Sequence, residues 1–171
     1  GHSVVGIDGL KIEPINNSYA FVFFETQLRT NLNFIVQANF LTTQSRENIP
    51  FNPDNTHNQE LLDYAGDIAA NSLETLKALK LLNIEVLNMM PLVSDEDPIP
   101  NLMYKKIKAM LSSEIELLPN KNGTFGNRKN SMLSSTAWLG ELLDHNQCQQ
   151  LFSKPYFIEK CTSFDPLFKY L

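Results

Sequence analysis

Cysteine is nearly absent from this chain of 171 residues: Cys148 and Cys161 are the only two. That is too few to staple a secreted disulfide scaffold, and it points to a reducing compartment, cytosolic or nuclear. Glycine is sparse as well, at 7 residues. No series of glycines stands at fixed spacing before a helix, so the backbone cradle that nucleotide phosphates need is missing, and Gly6-Ile7-Asp8-Gly9 reads as a simple turn. No apolar run approaches the ~20 residues that span a bilayer, and the amino terminus lacks a charged-then-apolar signal pattern, so no membrane partner is expected. Concentrated positive charge is lacking too. The 14 basic residues are outnumbered by 19 acidic ones and lie scattered apart from Lys105, Lys106, Lys108 and the pair Arg128 and Lys129, which disfavours nucleic acid as a direct partner. The glycosylation triplets Asn16-Asn17-Ser18 and Asn122-Gly123-Thr124 are discounted for want of a secretory context. Gly1-His2-Ser3 reads as the remnant of a cleaved expression tag, which makes a piece of a longer protein the expectation.

What is present is ordinary globular material, 43% hydrophobic and 19% charged, enough for one average domain or two small ones. The pattern predicts an α+β fold in which antiparallel hairpins pack on amphipathic helices. Leu32, Phe34, Val36, Ala38 and Phe40 alternate with Asn33, Gln37 and Asn39, the signature of a half-buried strand, and the strand runs into a polar turn carrying Arg46. Tyr19 to Glu25 is a second strand, joined to the first through the polar stretch Thr26 to Asn31 as an antiparallel hairpin. Ser45 to Asn55 should be an irregular loop. A long helix is expected over Asn58 to Leu82, opened by a Thr56 and Gln59 capping box, with Leu62, Ala65, Ala69, Leu73, Leu76 and Leu79 on its buried stripe and a break near Asn83. Ile84 to Val93 is apolar without a clear period, so helix and strand both stay open there.

Ser94 to Pro100 is acidic and proline-bearing, the expected linker between a subdomain over residues 1–93 and another over 101–171. Beyond it, Asn101 to Ser113 reads as an amphipathic helix with Leu102, Ile107, Met110 and Leu111 inward and Lys105, Lys106 and Lys108 outward. Ile115 to Leu118 and the residues from Thr124 form a second hairpin around Asn122-Gly123. Ser135 or Thr136 should cap a helix carrying Trp138, Leu139, Leu142 and Leu143, and Asn146 one that runs through Phe152.

Chemistry-bearing constellations are thin. His145, Cys148 and Cys161 offer only three zinc ligands, whereas a structural site takes four, so buried thiols and a surface histidine are the simpler reading. Ser45, Asp54 and His57 suggest a hydrolase but lack an orienting third group, and helix capping accounts for Asp54. Glu114 and Glu116 fall on one face of a presumed strand and read as a solvated face. Trp138 reads as a core anchor. Arg46 differs in kind, since a planar guanidinium is the usual means of reaching a phosphate or carboxylate in a neighbouring domain; the plainer alternative is an ion pair with Glu47, Asp54 or a helix end. Of Phe21, Phe23 and Phe24, at least one should point outward.

A longer pattern overlies these residues. Phe24-Glu25-Thr26, Thr30-Asn31, Phe34 to Gln37, Ala38-Asn39-Phe40, Ser45-Arg46-Glu47-Asn48-Ile49 and His57-Asn58-Gln59 follow one another in the order and spacing of a known segment. In that segment a strand ending Leu-Pro-Thr precedes Thr-Gly, an apolar strand, Ala-Asp-Phe, a Ser-Arg-Glu turn and a Trp-Asn-Gln helix start. The block from Tyr19 to Leu79 thereby resembles the region following the ATPase domain in sacsin-like and plant No-vein-like proteins of the GHKL superfamily. It departs at Phe24-Glu25 for Leu-Pro, Asn31 for glycine, Asn39 for aspartate and His57 for tryptophan. The resemblance implies a non-catalytic middle module of a sacsin-like, chaperone-related ATPase, with no cofactor of its own. ATP and magnesium would belong to an upstream domain, and Arg46 would reach back to the ATP phosphate. A protein client would be the further partner. The competing reading is a free-standing protein-interaction domain that uses aromatics near Phe24 and the lysine face of the second helix.

Overall fold

The computed structural model describes residues 10–16, 18–51, 55–93, 97–133, 139–158 and 165–171. The expectations placed on Gly1-His2-Ser3, Gly6 to Gly9, Asn17, Asp54, Ser135, Thr136, Trp138 and Cys161 lie outside these residues. The fold is α+β, with small sheets among helices. Two compact units interleave along the chain, one built from Glu13–Asn71 with Met89–Ile107 and the other chiefly from Ser72–Asn88 with Lys108–Leu171. Each draws segments from both sides of Ser94 to Pro100, unlike the expected split into 1–93 and 101–171. The end of that presumed linker is a helix start. Asp97 Oδ1 accepts from Ile99 N at 3.0 Å, and Pro98 takes the first helical position, where a missing N–H costs nothing.

In the first unit, β1 (Tyr19–Phe21) pairs antiparallel with β2 (Glu25–Arg29) and parallel with β3 (Val36–Gln37), giving the order β2-β1-β3. The stretch expected to be the turn is therefore mostly strand. Its threonines bury by bonding main chain: Thr26 Oγ1 donates to Ala20 O at 2.8 Å and Thr30 Oγ1 to Ser18 O at 3.2 Å. The alternation along the Leu32 segment survives in burial, with Leu32, Val36 and Phe40 inside and Ile35, Gln37 and Asn39 outside, although only Val36–Gln37 is paired as strand.

Helix α1 (Thr56–Ala78) is capped by Asn55, whose Oδ1 accepts from Asn58 N at 3.1 Å, one residue before the expected Thr56 cap. Within this unit Leu62 on α1, together with Ile99 and Met103 on α3 (Pro98–Ser112), closes a core over Ala20, Leu32, Val36, Phe40 and Ile49. Gly66 permits the close crossing of these helices, since a β-carbon there would lie 3.0 Å from Lys106 Cγ. The Lys106 stem passes over that gap and its ammonium meets Asp63 at 2.9 Å and Asp67 at 2.8 Å. Hydrogen bonds to Asp67 and then Asp63 raise its pKa, so this contribution persists through neutral pH and fades as pH climbs through the raised value. Lys106 is thus engaged with α1 and not part of an open lysine face.

In the second unit α1 ends on a six-to-one turn, with Leu81 N donating to Leu76 O at 2.8 Å and Lys80 N to Lys77 O at 3.0 Å. Lys80 takes φ 59°, the left-handed position that glycine usually fills. Asn83 Oδ1 then caps α2 (Ile84–Asn88) through Val86 N at 2.9 Å, which resolves the first half of the open segment as helix; residues 89–93 are neither helix nor strand. The hairpin around Asn122-Gly123 forms from β4 (Leu118–Pro119) and β5 (Phe125–Gly126), with only Gly123 at positive φ in its turn. Glu114 and Glu116 precede β4 in a loop and not in a strand, and Glu114 pairs with Lys129. A parallel pair follows from β6 (Ser131–Met132) and β7 (Tyr156–Phe157). Helix α4 spans Leu139–Leu142, and α5 (His145–Phe152) is capped by an Asp144 and Gln147 box in place of Asn146. A short 3-10 helix, Pro166–Lys169, closes the chain.

Replacing Lys80 by glycine removes the left-handed penalty of about 1–2 kcal/mol at the cost of glycine's extra chain entropy. A net gain of about 0.5–1 kcal/mol is expected, read as a raised urea midpoint with an unchanged slope; a lowered midpoint would contradict the cap.

Candidate functional site

The site begins with a buried amide. Asn58, on the first turn of α1, is fully buried, and it spends its side chain on the loop that crosses from the sheet to the helix. Its Oδ1 accepts from Leu41 N at 2.7 Å, and its Nδ2 donates to Leu41 O at 2.8 Å and Pro50 O at 2.9 Å. Both ends of the segment from Leu41 to Pro50 are thereby closed on one residue. Inside the loop Thr43 N donates to Asn48 O and Arg46 N to Thr43 O, each at 2.9 Å, while Gln27 N of β2 holds Glu47 O at 2.8 Å. Ile49 anchors the loop in the core, and Phe40 meets Phe51 edge to face at 5.8 Å between centroids.

Arg46 stands at the apex of this loop with φ 60°. A non-glycine residue there carries a strain of about 1–2 kcal/mol and persists only where its surroundings fix it. Among the described residues no carboxylate lies within ion-pair distance of its guanidinium, so the expected pairing with Glu47 is not made; Asp54 lies outside those residues. Beside it opens a groove of about 600 Å³ lined by Phe23, Phe24, Glu25, Leu41 and Arg46 among others. Phe23 is 77% and Phe24 83% exposed, so two of the three phenylalanines face solvent where at least one was expected. A permanent cation with five donors beside two exposed rings suits an anion carried on an apolar body.

The other candidates are occupied differently. The Ser45 hydroxyl lies 3.2 Å from that of Thr43, and the His57 ring lies 3.3 Å from Asn39 O. Ser45 and His57 therefore do not bond one another. His145 packs against Tyr156 at 5.1 Å between centroids. Burial, and then the Asp144 charge, push the Cys148 thiol above its ordinary pKa, which keeps it protonated and inert. Among the described residues no cluster of three His, Cys, Asp or Glu side chains is placed to hold a metal, and no helix is long and apolar enough to cross a membrane. The lysine face is reduced further because Lys108 Nζ donates to Lys169 O at 3.3 Å. The sequence pointed to Arg46 and Phe24 but not to Asn58 as the clamp of the Arg46 loop; an amide in the third position of the long helix was the available signal.

Asn58→Ala removes three hydrogen bonds and leaves a main-chain N–H without its partner, an expected loss of about 2–4 kcal/mol. Amide exchange at Leu41 and Arg46 should accelerate beyond the change in global stability; equal protection in the variant would contradict the clamp. Cys148 should resist iodoacetamide in the folded protein at pH 8 and react once urea unfolds it, as mapped by peptide mass, and prompt native labelling would contradict its burial. No family model, curated protein or solved structure matches the chain.

Proposed function

We propose that this chain is a non-catalytic module that docks through the Arg46 groove, and that its partner is the nucleotide-binding domain implied by the resemblance to sacsin-like ATPases. Arg46 meets the terminal phosphate of ATP held with magnesium in that domain, so that nucleotide state is felt as a change in docking. The observation that carries this reading is the Arg46 guanidinium without an ion pair among the described residues, held on a closed loop. A second observation supports the local correspondence. Asn31 stands where the resembling segment has glycine, and it adopts φ 52°, a conformation that glycine takes freely and asparagine tolerates best among the rest. A charge-assisted contact of this type contributes about 1.5–3 kcal/mol, enough to couple two states by tenfold or more.

The exposure of Phe23 and Phe24 favours a second reading, a free-standing interaction domain in which a carboxylate on an apolar protein surface takes the place of the phosphate.

The two readings separate on the ATPase rate of the full-length protein. Arg46→Gly suits the left-handed backbone at that position, so folding should be retained or strengthened while the rate falls at least tenfold. An unchanged rate with intact folding, or a full-length protein without ATPase activity, rejects the nucleotide contact and leaves the interaction domain.

A further inference from the structure

The second unit carries its own pocket, of about 350 Å³, within the range of roughly 300–1,000 Å³ typical of small-molecule sites. Its apolar wall includes Leu118 of β4, Met132 of β6, Ile158 after β7 and Phe168 of the 3-10 helix, and Arg128 and Lys154 also line it. The loop presenting Arg128 is held by two asparagines that bond each other's main chain. Asn127 Oδ1 accepts from Lys129 N at 2.9 Å, Asn130 Oδ1 accepts from Asn127 N at 2.8 Å, and Asn127 Nδ2 donates to Glu114 O at 2.8 Å. Lys154 Nζ donates to Arg128 O at 2.8 Å and Ser131 O at 3.2 Å, which fixes the ammonium beside the arginine's main chain and leaves one of its three donors over. Lys129, the neighbour of Arg128, is neutralised by Glu114. Among the described residues no carboxylate lies within ion-pair distance of Arg128 or Lys154. One cation on a fixed loop and a second tied to that loop's main chain therefore border a hollow of mixed polar and apolar lining, with no ion pair to either among the described residues.

We propose that this pocket binds a small carboxylate with an apolar body, a medium-chain fatty acid. The carboxylate lies on Arg128 and the remaining Lys154 donor, and the chain lies against Leu118, Met132, Ile158 and Phe168. Charge complementarity selects the anion, since a guanidinium matches a carboxylate in two parallel bonds, and the apolar wall selects the tail.

Calorimetric titration of the chain with sodium octanoate tests this, with acetate supplying the charge without the tail and 1-octanol the tail without the charge. Saturable octanoate binding is expected, at least tenfold tighter than either control and weakened at least tenfold in Arg128→Ala. That side chain is exposed, so the variant should keep the wild-type thermal midpoint. Met132→Trp, which fills the pocket and leaves both cations, should also abolish binding. Absence of saturation by octanoate, acetate binding as tight as octanoate, or an Arg128→Ala affinity equal to wild type overturns the proposal. Tight binding of N-acetyl-leucine with none of octanoate overturns it as well, and reassigns the site to peptide termini.

Discussion

The amide of Asn58 is the interaction on which the candidate site depends. A loop carrying the segment from Leu41 to Pro50 has no strand to follow and no disulfide to hold it, so its main-chain polar groups need partners from a side chain. Asn58 supplies them at both ends of the loop at once, from a fully buried position on a helix whose neighbouring turn enters the core. Asparagine alone among residues of that size offers an acceptor and a pair of donors in one plane without charge. An apolar residue there would fill the space and leave the Leu41 N–H and two carbonyls unanswered. Arg46 is positioned by this closure together with the bonds inside the loop and to β2, which hold its left-handed backbone in place.

Asparagine does similar work through the rest of the chain. Asn55 and Asn83 cap helices, Asn127 and Asn130 lock the turn that bears Arg128, and Asn88 receives Leu167 N of the 3-10 helix at 3.1 Å. With sheets of two or three short strands, the units owe much of their order to side chains that bond main chain. Such bonds are individually modest, about 0.5–1.5 kcal/mol, but the groups they satisfy are costly to leave alone once buried. No buried side-chain nitrogen or oxygen among the described residues lacks a partner.

This economy explains what could be read from the sequence. Apolar periodicity found the α+β class, the long helix and the alternate burial from Leu32 to Phe40, because those features follow from where greasy side chains must go, and turn chemistry found the Asn122-Gly123 hairpin. It misplaced β2, where Thr26, and Thr30 just beyond the strand, look like turn residues and are buried by hydrogen bonding to main chain. It took Asp97-Pro98 for part of a linker because a helix start and a spacer share the same residue types. It laid Lys106 on a solvent face because the acidic pair waiting for it, Asp63 and Asp67, comes from another helix distant in sequence. Arg46 and the phenylalanines Phe23 and Phe24 were visible as chemistry without context; the clamp of the Arg46 loop by Asn58, and Leu41 in the groove wall, came only with the tertiary structure.

The central claim, that a loop closed by Asn58 offers Arg46 to an anion whose presence depends on nucleotide state, is tested most directly by hydrogen exchange on the full-length protein with ATP or ADP bound. The amides from Thr43 to Asn48 should exchange more slowly with ATP than with ADP, and the difference should vanish in Arg46→Ala. Identical exchange in the two nucleotide states would contradict it.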